Sequence, residues 1–194
     1  MKIRLFALLL AVSLLLCVPA SAEGSRFRDV PEDIWYEQAV YEAVDLRLIS
    51  GTHADRFSPE DSATRAMLWV ILFRMEGLSS TGQGAWYEDA RQWTIRAGIS
   101  DGTDPEGLMT REQFATFLYR YGQFKGYDMT TKNDTLILSY QDAVKVSSFA
   151  VEPLQWACGE GIITGKPGGM LDPAGTAKRC EAAVILMRFL ENVK

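Results

Sequence analysis

Apolar positions along this 194-residue chain fall into a helical pattern that recurs three times. Trp35, Ala39, Val40 and Ala43 lie at i, i+4, i+5 and i+8, the spacing that lines up one face of a helix and predicts a core stripe. Trp86, Ala90, Trp93 and Ala97 repeat the pattern, and Phe149, Leu154, Trp156 and Ala157 form a third version. Each leading aromatic has a glycine 16 residues later: Gly51, Gly102 and Gly165. Gly51 is expected in the left-handed conformation that ends helices or opens turns.

A second apolar stripe follows each glycine, opened by Arg65, Arg111 and Arg179. Counting from the arginine, the apolar residues fall at +3, +6, +7 and +10, as in Leu68, Ile71, Leu72 and Met75. Phe114, Phe117, Leu118 and Tyr121 match them, as do Ala182, Ile185, Leu186 and Phe189. This is the buried face of an amphipathic helix. A further arginine stands at +9 each time: Arg74, Arg120 and Arg188. The glycine-to-arginine span is 14 residues in the first and third copies but 9 in the second.

The pattern predicts an all-α fold of three tandem helix-loop-helix units, at residues 23–80, 81–126 and 127–194. The second is shortened, and the third is led by a polar connector over 122–139 in which Leu136, Ile137 and Leu138 are expected against the core. One such helix pair cannot bury its apolar face alone, so the units must pack on one another. Pro153 lacks an N–H, so the third copy's first helix is expected to start late, near Val151 or Glu152.

Residues 1–22 read as a secretory signal, with Lys2 and Arg4, an apolar run from Leu5 to Val18, and Ala20-Ser21-Ala22 as a cleavage site. A lipid-attachment reading through Cys17 lacks the usual small residue ahead of the cysteine. Setting the signal aside leaves 18 basic against 25 acidic residues, a net charge of −7. That sign argues against nucleic acid as a partner. No membrane span is expected after cleavage, and no cofactor. Cys158 and Cys180 remain, either as a disulfide permitted by export or as two small buried thiols.

Thr110 and Gln113 have the spacing of a capping box, Thr64 caps the first copy, and Lys178 replaces the cap in the third. The arginines therefore sit at the first helical position, where a cation meets the positive end of the helix dipole. Repeated three times, that placement asks for a compensating anion. It is either internal, through Asp29, Asp142 or a glutamate, or an external carboxylate or phosphate on the guanidinium and the unpaired N–H groups.

Taken together, these elements resemble three S-layer homology repeats. The resemblance rests on Phe27-Arg28-Asp29-Val30 leading into Trp35, Phe57-Ser58-Pro59, Gly161-Ile162-Ile163-Thr164-Gly165 and the Thr-Arg-Ala-Glu-like starts at Thr64, Thr110 and Lys178. It implies a pseudo-trimeric bundle of helical prongs on a secreted protein of a Gram-positive-type envelope. It also implies noncovalent binding of an anionic secondary cell-wall polysaccharide, often through a pyruvate ketal.

Carried over from the family, the ligand site comprises Arg65, Arg111 and Arg179, with Asp29, Asp142, Trp35 and Trp86 as groove walls and Thr64, Thr110, Gly51 and Gly165 beside them. The second copy lacks the leading aspartate, and Phe149 replaces tryptophan in the third. The first and third copies, with Arg65 and Arg179, are therefore expected to bind best. The alternative is an envelope adaptor that binds other exported proteins. Enzymatic activity is not expected, because His53 is the only histidine and sits in a polar loop. The Asp101-Gly102-Thr103-Asp104 run lacks the remaining ligands of a calcium loop.

Overall fold

The computed structural model describes residues 27–131 and 136–193. The expected signal at 1–22 lies outside them. Six α-helices follow in order: α1 (Glu37–Asp45), α2 (Arg65–Met75), α3 (Glu88–Arg96), α4 (Arg111–Lys125), α5 (Val151–Gly159) and α6 (Arg179–Asn192). Three short 3₁₀ turns lead into α5. Among the described residues the extended segments meet only as isolated bridges, so the fold is all-α.

The second helix of each copy starts on its arginine, as the caps predict. Thr64 accepts from Met67 N–H, and Thr110 and Gln113 close a full capping box. In the third copy Glu181 still accepts from the Lys178 N–H at 2.9 Å. Pro153 sits in the first turn of α5, where its missing N–H costs no helical bond, and the helix begins at Val151. The connector is shorter than expected, because α4 runs through Gly122 to Lys125 and ends on left-handed Gly126. Ile137 is buried, Leu138 is exposed, and the Leu136 side chain is outside the described set.

Helices pair across copies. α2 packs on α3, α4 on α5, and α6 returns to pack on α1. Each second helix thus buries its stripe against the first helix of the next copy, and the ring closes. At its centre three buried residues form a cycle: Ala63 N donates to Ala177 O at 2.9 Å, Ala177 N to Met109 O at 2.9 Å, and Met109 N to Ala63 O at 2.8 Å. One segment from each copy is needed to satisfy these groups, which would otherwise be costly in the interior.

The leading aromatics are not core residues. Trp35, Trp86 and Phe149 precede their helices and are 63%, 55% and 51% exposed. Helical spacing misassigned them because each helix begins two residues later, so the stripe starts effectively at Val40, Ala90 and Leu154. Gly51 also departs from expectation: its φ is not positive, and the left-handed residue that follows α1 is Arg47, at φ 58°. Gly51 is needed for close approach, since a Cβ there would stand 2.6 Å from the Phe27 ring and 2.7 Å from the carbonyl oxygens of His53 and Arg56. Cys158 and Cys180 are buried free thiols, not a disulfide.

Candidate functional site

The three signature arginines reach forward into the next copy. Arg65 Nε donates to Thr103 O at 2.9 Å and Nη2 to Asp101 Oδ1 at 2.7 Å. Arg111 Nε donates to Leu171 O at 2.9 Å and Nη2 to Thr164 O at 2.7 Å. Arg179 closes the circuit, with Nε on Phe57 O at 2.9 Å and Nη2 on Ser50 O at 2.8 Å. Arg111 and Arg179 are buried. The compensation that a cation at a helix start requires is therefore largely internal, and two of the three arginines use carbonyl oxygens rather than carboxylates.

The helix starts are likewise closed. Arg65 N and Ala66 N donate to Gly107 O and Pro105 O, Arg111 N and Glu112 N to Gly175 O and Pro173 O, and Arg179 N and Cys180 N to Asp61 O and Pro59 O. The unpaired N–H groups expected to receive an external anion are thus taken by the next copy's loop. The shortened second loop keeps this role because Pro105 occupies the place of Pro59 and Pro173.

Asp29 and Asp142 act inside the loops. Asp29 accepts from Phe57 N and Ser58 N at 2.8 Å, and Asp142 from Leu171 N at 2.7 Å and Asp172 N at 2.8 Å. Burial opposes ionisation of both, but the backbone donors outweigh it and hold each carboxyl below its usual range. They brace the loop behind the groove instead of walling it.

Two grooves bring together the remaining sequence-predicted residues. The first, about 590 Å³, combines Gly51 and Thr64 of the first copy, Trp86 of the second and Arg179 of the third. The other, about 210 Å³, combines Gly165 of the third copy, Trp35 of the first and Arg111 of the second. Each takes a loop from one copy, an aromatic from the next and an arginine from the one before.

Each groove also contains a residue that the sequence reading left as mere register, Arg74 in the first and Arg188 in the second. Arg74 Nη1 donates to Leu48 O at 3.1 Å and lies 3.4 Å from Ser50 Oγ. Arg188 Nη1 lies 3.3 Å from Thr164 Oγ1. Among the described residues these guanidinium groups hold no carboxylate and use only Nη1. The signal that could have found them was the constant +9 spacing, which puts them about two and a half turns along the helix from the arginine that opens it.

Arg65 sits at the remaining equivalent position, against the loop of the second copy. There Asp101 replaces Ser50 and Thr164, held ionised below its usual range by the Thr103 N–H and by Arg65 itself. A carboxylate at that point repels an anion. Thr110 caps α4 without lining either groove.

Among the described residues no helix is long and apolar enough to cross a membrane, and no group of three His, Cys, Asp or Glu could hold a metal. The S-layer homology domain model matches residues 26–66 and 139–183. The chain is 27% identical over 86% of its length to an endoglucanase of Bacillus sp. (strain KSM-635), and 26% identical over 86% to the exoglucanase XynX of Acetivibrio thermocellus. It is 26% identical over 95% of its length to the surface-layer 125 kDa protein of Lysinibacillus sphaericus. It spans 19%, 16% and 16% of those relatives, respectively, so the matches concern one part of each.

Proposed function

Since this chain belongs to the S-layer homology family, whose domains bind the cell wall, we propose that it attaches to the envelope noncovalently by holding an acidic, pyruvylated secondary cell-wall polysaccharide in its inter-copy grooves. It works as a secreted wall-binding unit of three repeats and catalyses nothing itself. The observation that carries this reading is the recurrence of one set, a glycine, an exposed tryptophan and two arginines, in two grooves assembled from different copies.

Trp35 and Trp86 offer open ring faces suited to a sugar, and the arginines supply charge suited to its carboxylate. Arg111 and Arg179 fix the loops that carry Thr164 and Ser50, and Arg74 and Arg188, which hold no carboxylate among the described residues, meet the ligand. Arg65 serves the second copy, whose groove is the weakest of the three. A net-acidic protein does not steer an anionic polymer from afar, so recognition is local.

Sedimentation with purified cell walls tests this. Trp35→Ala combined with Trp86→Ala removes two exposed rings with little expected effect on folding, and should abolish co-sedimentation. Removing pyruvate from the walls should do the same for the unaltered chain. Unchanged sedimentation in both experiments overturns the reading; co-purification with another exported protein and no wall binding would assign an adaptor role instead.

A further inference from the structure

The first groove continues past Arg74. A cavity of about 890 Å³ adjoins it, and the two share Ser50, Gly51, Arg74 and Trp86. Its wall adds Arg47 and His53 and contains no aspartate or glutamate, whereas the first groove has one, Glu106, on a chain whose net charge is −5. Ligand pockets commonly run about 300–1,000 Å³, so each half of this trough has the room of a full ligand pocket, whereas the 210 Å³ groove is smaller.

Arg47 marks the trough as more than a gap in packing. It follows the C-cap of α1 at φ 58°, the left-handed position that Gly98 and Gly161 occupy in the other copies at 70° and 68°. Glycine takes that conformation without strain and arginine does not. Strained side chains kept at a cavity wall are a signature of function. The Arg47 guanidinium is exposed and has no acceptor among the described residues.

We propose that the first groove and this cavity form one trough for a run of at least two consecutive residues of an acidic glycan. Arg74 meets one acidic group at the junction, Trp86 stacks on the sugar there, and Arg47 meets the next acidic group beside His53. This rests on the glycan-binding reading. It distinguishes the first groove from the one at Arg188, which has Gly161 in Arg47's place and takes a single residue.

Isothermal titration with size-fractionated acidic glycan from purified bacterial walls is the test. With the unaltered chain, three-residue fragments should bind about tenfold more tightly than single residues, the gain expected of an added charge-assisted contact. Arg47→Gly should erase that advantage, keep single-residue binding, and leave the melting temperature equal or higher because the strain is gone. Equal affinity for both lengths in the unaltered chain, or an advantage that survives Arg47→Gly, overturns the trough while single-residue binding leaves the wall-binding reading standing. Loss of all glycan binding by the unaltered chain overturns both.

Discussion

Arg179 embraces Phe57 twice: its guanidinium lies 4.7 Å over the Phe57 ring, and its Nε donates to the Phe57 carbonyl at 2.9 Å. The two residues stand 122 positions apart, so this contact ties the end of the chain to its beginning. It makes the arginine part of the ring closure as well as of the groove.

Arg179→Ala should therefore destabilise the domain by about 3 kcal/mol, since charge-assisted bonds to the buried Phe57 carbonyl and to the Ser50 carbonyl are lost together. Arg179→Lys should recover little, because an ammonium group cannot reproduce the planar fork. Arg65→Ala should cost less, as its partner Asp101 is 65% exposed and water can replace the pair. Urea unfolding of the three variants checks the order.

Asp142 makes stability fall in acid. Its folded-state pKa is depressed below the unfolded value of about 3.9, so its contribution is complete above that pH and is lost as pH drops through the folded value. Asp142→Asn should be less stable at pH 7 and lose less stability between about pH 4 and pH 2 than the unaltered chain. Thermal melts across that range measure the difference in slope.

Two of the three register glycines, Gly51 and Gly165, should respond differently to alanine. At Gly165 the new Cβ runs into the Tyr140 ring, a side chain that can be made smaller. At Gly51 it meets two backbone carbonyl oxygens at 2.7 Å, which cannot be moved without remaking the turn. Both substitutions should cost about 1–3 kcal/mol, and Tyr140→Leu should rescue Gly165→Ala while Phe27→Leu fails to rescue Gly51→Ala. Paired melting curves decide this.

Cys158 and Cys180 should resist alkylation in the native state. Burial raises each thiol to about 11, so at neutral pH neither offers much thiolate and neither is accessible. Mass spectrometry after iodoacetamide treatment should show both unlabelled when folded and both labelled in denaturant.

The copies were legible in the chain because their signals are local. A stripe at 3.6-residue spacing, a threonine cap and an arginine at the first helical position depend on neighbours within a few residues. α2, α4 and α6 accordingly begin where they were expected. Trp35 and Trp86 were harder, since a residue just outside a helix keeps the helical register without its burial.

The assembly of the grooves was not legible. Ranking the copies by their own motifs favoured Arg65, but the ring hands each arginine to the next copy, so Arg65 meets Asp101 while Arg111 joins the groove of the third copy. The sequence by itself determined the helices, their caps and the repeated unit, because hydrogen bonds and apolar spacing within a segment suffice for those. Only the tertiary structure decided which carbonyls the arginines hold, why Asp29 and Asp142 brace loops, and where Arg47 and Arg74 stand. Those contacts join residues tens of positions apart, and they exist only once α6 packs back on α1.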